Sequence, residues 1–251
     1  MRKNFFGSGP MKIIGLDVDG VLNATFTKER LDGFIFVSDC KLELLKQLID
    51  RSNARVLLTS TWRQGWADMD AGLNTRDVNH FIALRDKLLE YGIELLDYTP
   101  ITNGAMNRRG EEIDMWLKAW KGEPIESLVL LDDLNGCYLR PYSNRLVRTS
   151  FQKGLLQKHV DLAMKILEKP FSMNIEKVPE EPVCMVRYQW TEDGDNELCE
   201  KREDNLLEDA ICYHCNQKMK AGEKADFLFS IDDGAEYTIC PDCAKKACTP
   251  V

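Results

Sequence analysis

Along the first two-thirds of the chain, apolar positions follow two periods in turn. Uninterrupted runs bounded by turn residues read as buried strands: "MKIIGLDV" (11–18), "ARVLLTS" (54–60), "IELLDYT" (93–99) and "SLVLLDD" (127–133). "NRLVRTS" (144–150) reads as a fifth. Between them the spacing turns helical. "KLELLKQLID" follows a cap at Ser38 or Asp39, "VNHFIALRDKLLEYG" stops at Gly92, "GEEIDMWLKAWKG" ends at Gly122, and "KHVDLAMKILEK" closes the series. Strands alternating with helices predict an α/β fold, a doubly wound parallel sheet over residues 11–170.

After residue 170 the pattern weakens. Residues 171–210, with "EKVPEEP" and "TEDGDNELCEKREDNLLED", are acidic and read as a linker, although "VCMVRYQW" within them has the look of a strand. Residues 211–251 form a small cysteine-bearing unit. Charge divides at the same place: residues 1–170 carry 24 basic and 23 acidic side chains, residues 171–251 only 9 and 18. The acidity therefore belongs to the C-terminal third, which argues against that third as a nucleic-acid clamp. No apolar run is long enough to span a bilayer, and "MRKNFFGSGP" lacks the apolar core of a secretory signal, so a cytoplasmic location is expected. Seven of the nine cysteines lie beyond residue 170. An odd number without an export signal points to metal binding or free thiols rather than disulfides.

Ligands of parallel sheets bind beyond the carboxyl ends of the strands. There the first strand ends in Asp17 and Asp19, the second in Thr59-Ser60-Thr61, and "SLVLLDD" in Asp132-Asp133. Four carboxylates on one rim repel each other, and a divalent cation such as Mg²⁺ would reconcile them. Arg108 and Arg109, at the start of a helix, are placed to pair with an anionic substrate. Trp62 and Arg63 are candidates for substrate contact, with Trp62, Trp66 and Trp116 also readable as core. Asn23 and Asn135 near the rim can orient water or serve as solvated turns.

The order of these motifs resembles the haloacid-dehalogenase-like (HAD) superfamily. "DVDGVLN", "LLTSTWR", "RGEEIDMWL", "LVLLDD" and "QKGLL" are similar to the small HAD domains of phage and bacterial proteins, some linked to RNA repair. The resemblance covers roughly residues 11–168. It implies a Rossmann-like phosphatase in which Asp17 is the nucleophile and forms an aspartyl-phosphate, with Asp19 as acid and base. It also implies Mg²⁺ among Asp17, Asp19 through its carbonyl, and the Asp132-Asp133 pair. Thr59 or Ser60 would hold a phosphoryl oxygen. Arg108 or Arg109 would stand where most members have lysine, with Arg109 favoured by the "RG" before the helix. Neither gap between motifs has room for a full cap domain. Such open sites resemble members acting on phosphorylated nucleic-acid ends or phosphoproteins, and a phosphorylated RNA or DNA end or a nucleotide is the expected substrate.

"CYHC" (212–215) and "CPDC" (240–243) are two CxxC pairs separated by 24 residues. Each can form a knuckle, and together Cys212, Cys215, Cys240 and Cys243 predict a structural Zn²⁺ site in a zinc ribbon or treble clef. His214 reads as a bystander and Cys248 as surplus to the shell, while Cys184 and Cys199 read as free thiols. A four-thiolate site has no open position for chemistry, so the module is expected to dock a partner or substrate. The rival readings are a non-catalytic adaptor using this module and a phosphotransferase of the same fold.

Overall fold

A computed structural model describes residues 10–102, 109–134, 139, 142–171, 184–189, 196–206, 209–230 and 236–250. The chain divides into two compact units, residues 1–175 and 176–251.

The first unit is built on five parallel strands: β1 (Met11–Leu16), β4 (Arg55–Leu58), β5 (Leu95–Tyr98), β6 (Ile125–Asp132) and β7 (Leu146–Arg148), in the order β5-β4-β1-β6-β7. The sheet is buried on both sides, which explains the unbroken apolar runs. Ile14 and Leu16, Val56 and Leu58, and Val129 and Leu131 point to one core. Ile13, Leu57, Leu128 and Leu130 point to the other. On the first face lie α1 (Asp39–Ser52), α3 (Arg76–Glu90) and α5 (Gln157–Leu167), through Leu42, Leu45 and Leu48, Phe81, Leu84 and Leu88, and Val160, Ala163 and Ile166. On the second lies α4 (Arg109–Ala119), through Ile113, Trp116 and Leu117. The fold is thus the doubly wound α/β sheet that the periodicity predicts.

Two elements escape that periodicity. A hairpin, β2 (Arg30–Leu31) and β3 (Phe34–Ile35), turns at Asp32 and Gly33, both with positive φ, as a two-residue type I′ turn requires. A short helix, α2 (Arg63–Asp70), starts directly after the second strand's motif. Among the described residues no helix is long and apolar enough to cross a membrane.

The second unit contains β8 (Cys184–Gln189), β9 (Asn196–Asn205), β10 (Ala210–Ile211), β11 (Lys218–Met219), β12 (Lys224–Ser230), β13 (Glu236–Ile239), α6 (Pro241–Ala247) and β14 (Cys248–Pro250). Five of these strands form an antiparallel sheet, β13-β12-β9-β8-β14. The composition predicts a linker over 171–210, yet β8 and β9 lie in that stretch. Backbone pairing on both sides secures β9, with Cys199 buried in the core, so its acidic side chains mask a strand. Arg108, Asn135 and most of 171–195 lie outside the described residues, as does the side chain of Cys184.

Candidate active site

The rim forms where the parallel ladder runs out. Beyond β1 the Asp17 N–H donates to the Leu131 carbonyl, beyond β4 the Thr59 N–H donates to the Leu16 carbonyl, and beyond β7 the Thr149 N–H donates to the carbonyl of Asp132 at the end of β6. These bonds fix the backbones of three motifs in register, so their side chains leave the sheet at one level.

Asp17 and Asp132 are 5% and 1% exposed, and their carboxylates with Asp133 place oxygens within 4.8 Å of one another. Arg109, the first residue of α4, bridges the first two: its Nη1 lies 2.9 Å from Asp17 Oδ1 and 2.6 Å from Asp132 Oδ2. One guanidinium cannot neutralise three clustered carboxylates, two of them buried. Burial, reinforced by Asp132 and Asp133 against the pull of Arg109, pushes the Asp17 pKa up to about 7. Burial and Asp132 likewise push Asp133 up to about 6. Burial opposes the charge of Arg109, but Asp17 and Asp132 outweigh it and hold its pKa above the usual value. The remaining negative charge and the hard oxygen donors fit a Mg²⁺ ion at this cluster.

The raised Asp17 value has a sign that can be measured. The folded state binds this proton more tightly than the unfolded chain, so the stabilisation is complete below the ordinary carboxylate range and is lost as pH rises through about 7. Metal-free protein is therefore expected to lose stability between about pH 4 and about pH 7, and Asp17→Asn should flatten that slope. Mg²⁺ should restore stability most at the higher pH. Parallel melting profiles for wild type and variant would refute this.

Asp19 leaves the acidic cluster and faces another set of donors. Asn23 Nδ2 donates to its Oδ1 at 2.7 Å and Trp62 Nε1 to its Oδ2 at 3.0 Å. Asn23 is fully buried, and its Oδ1 accepts the Gly20 N–H at 2.9 Å, so one amide clamps both the turn and the carboxylate. Gly20 has φ +71°, and a Cβ there would lie 2.2 Å from Asp133 Oδ2, so only glycine lets the first and fourth motifs close up. Thr149 Oγ1 donates to the Gly20 carbonyl at 2.7 Å from the far side.

At the second motif, Thr59 and Ser60 are buried. The Ser60 hydroxyl bears on the Asp17 carboxylate, lowering its pKa, without a well-formed hydrogen bond. Arg63 does not face a substrate. It is 6% exposed, donates through Nη1 to the Thr59 and Ser60 carbonyls at 2.7 and 2.9 Å, and meets Glu112 Oε2 through Nη2 at 2.5 Å. As the first residue of α2 it is turned back to hold its own entry turn, which corrects the substrate-contact reading. Glu112, one turn beyond Arg109, also accepts from the Thr102 N–H and hydroxyl at 3.2 and 3.1 Å. Sequence reasoning overlooked Glu112 and weighed Asn23 only as an alternative. An acid three residues after Arg109 on a helix and an amide four residues after Asp19 were the available signals.

Glu112→Ala would leave Arg63 buried without its counter-charge, an expected loss of about 3–5 kcal/mol of stability. Chemical denaturation reads this directly. A loss below about 1 kcal/mol would mean that the pair is dispensable. Among the described indoles, Trp116 is core and donates to Asp97 Oδ2, Trp66 stacks on Phe81, and Trp62 touches the site.

In the second unit, the thiols of Cys212, Cys215, Cys240 and Cys243 lie within 4.8 Å of one another, with Cys215 Sγ and Cys240 Sγ 3.9 Å apart. Zn–S bonds of about 2.3 Å in a tetrahedron separate sulfurs by about 3.8 Å, so the cluster can hold zinc. The first pair sits at the β10–β11 hairpin and the second at the start of α6. Burial raises the Cys212 pKa, but the backbone N–H groups of Cys240 and Cys215 outweigh it and bring the thiol down to about 7; burial pushes Cys243 up. His214 Nδ1 lies 3.0 Å from the Tyr188 hydroxyl and is not one of the clustered ligand atoms.

No curated protein matches the chain. The family described as the HAD domain in Swiss Army Knife RNA repair proteins matches residues 13–160, a stretch that contains every acid of the rim together with Thr59, Ser60 and Arg109. More than half of the chain lies within that match, and the chain belongs to this HAD family.

Proposed function

We propose that the protein is a Mg²⁺-dependent phosphomonoester hydrolase acting on a phosphorylated nucleic-acid end or nucleotide. The arrangement of Asp17 and Asp19 carries this reading: one carboxylate in a cationic and acidic cluster, the other two residues on and held by separate donors. Asp17 attacks phosphorus, the ester P–O bond breaks, and Asp19 gives its proton to the leaving oxygen. Asp19 then takes a proton from water as that water attacks phosphorus. The bond to Asp17 breaks and inorganic phosphate leaves. Arg109, released in part from Asp17 and Asp132, is placed to stabilise charge on the phosphoryl oxygens. The unpartnered Ser60 hydroxyl supports a role as donor to one of those oxygens, with Thr59 beside it. Mg²⁺, held by Asp17, Asp132, Asp133 and the Asp19 carbonyl, would neutralise phosphoryl charge during transfer.

Family membership supports hydrolase chemistry in an RNA-repair setting. The convergence of Asp17, Asp132 and Asp133 with Arg109, and Asp19 held beside them, favours a hydrolase over an adaptor, which needs no such cluster. The test is Mg²⁺-dependent phosphate release from nucleotides, phosphorylated oligonucleotides and phosphopeptides, with Asp17→Asn and Asp19→Asn as controls. Equal turnover by wild type and Asp17→Asn would overturn the mechanism. Product analysis separates transfer to water from transfer to another acceptor.

A further inference from the structure

A groove of about 620 Å³ opens beside the phosphoryl site, and Asp19 forms part of its wall. Its other walls include Trp62, Phe34 of the β2–β3 hairpin, Arg76 and His80 of α3, and Phe151. We propose that this groove binds the nucleobase of the nucleotide whose phosphoryl group reacts at Asp17, an inference that rests on the hydrolase reading above.

Continuity with the reacting centre is the first support. Trp62 Nε1 is fixed to Asp19 Oδ2 at 3.0 Å, so the indole runs from the acid–base group into the groove. A planar group stacked on it is therefore held at a set distance from the phosphoryl oxygen that Asp19 protonates. The second support is the series of rings. Trp62 and His80 have centroids 6.0 Å apart, and His80 and Phe34 6.1 Å. Phe34 is 56% exposed, where an aromatic side chain gains little from folding and is available for stacking. Charge is the third. Arg76 holds its guanidinium 4.7 Å from the Phe34 ring centroid and is itself exposed, which suits the phosphodiester next to a stacked base.

The hairpin is also held in place. Asp32 at its turn meets His80 Nε2 at 3.0 Å, so Phe34 stands over the groove without a closing motion. The volume lies within the range of small-molecule sites and suits a base with its ribose. Mononucleotide and polynucleotide end share this chemistry, and Arg76 separates them.

The experiment measures kcat/KM for a nucleoside monophosphate and a terminally phosphorylated oligonucleotide, each paired with its abasic counterpart. Wild type should prefer the base-bearing member of each pair. Phe34→Ala should reduce that preference by about fivefold to a hundredfold, mainly through KM, and Phe34→Trp should restore it. An oligonucleotide advantage erased by Arg76→Ala assigns the site to a polynucleotide end; equal use of both assigns it to free nucleotides. A base preference unchanged in Phe34→Ala, no base preference at all, or faster turnover of a phosphopeptide overturns the groove and leaves the hydrolase standing. Absence of phosphate release from every compound overturns the hydrolase instead. In that case, saturable quenching of indole fluorescence by a nucleoside monophosphate, weakened in Phe34→Ala, sustains the groove, and its absence removes it.

Discussion

Asp17→Asn is expected to cut phosphate release on the order of a thousandfold or more, the scale of losing a covalent nucleophile. The amide keeps the shape of the carboxylate but has no lone-pair charge to attack phosphorus. Its effect on stability should run the other way. Asp17 is one of three clustered acids and shares the single guanidinium of Arg109 with Asp132, and its pKa stands at about 7 because burial penalises the charged form. Removing that charge relieves the penalty at neutral pH, so the variant should melt higher than metal-free wild type while being inactive. An inactive variant that also melts lower would indicate a damaged fold, and activity loss alone would then say little about Asp17. Asp19→Asn should also be inactive, but without this gain, because Asp19 sits among donors rather than among acids.

Removing metal from the four-cysteine cluster is expected to have the largest structural effect. The core of the second unit is small, and three of its buried members belong to the CYHC and CPDC segments themselves: Cys212, Cys240 and Cys243. Structural zinc contributes about 10–16 kcal/mol in comparable small modules, more than such a core can replace. The purified full-length chain should contain about one zinc, and a strong chelator should abolish the unfolding transition of the second unit while the parallel-sheet unit retains its own. Cys240→Ser should reproduce the effect, since the Cys240 backbone N–H also donates to Cys212 Sγ at 3.2 Å and the two knuckles are joined there. Zinc-free protein that keeps both transitions would show that the thiols are not a metal site.

The sheet and the acidic rim were legible because each rests on a local regularity. Strands buried on both faces leave uninterrupted apolar runs, and acids at their carboxyl ends stand out against them. Side-chain direction was less accessible. Arg63 lies next to the Thr59-Ser60 motif in the chain, yet α2 begins at that residue and turns its guanidinium inward to Glu112. Trp62, one residue earlier, reaches Asp19, a partner 43 positions away that no local pattern encodes. Asn23 resembled a turn residue because its two hydrogen bonds exist only once the Gly20 turn has formed. For β9 the obstacle was composition: a strand paired on both sides needs few apolar side chains, and its many charges hid it.

The bond from Thr149 to the Gly20 carbonyl spans 129 positions. It closes a rim whose first acid comes from the opening strand and whose last support follows the fifth. During synthesis the emerging chain has Asp17 early, but no complete rim until β6 and β7 have left the ribosome and paired. Such long-range pairing is slow to form. A nascent chain that lacks β7 would expose the unpaired edge of β6, so this domain is expected to complete its rim in one late step rather than gradually.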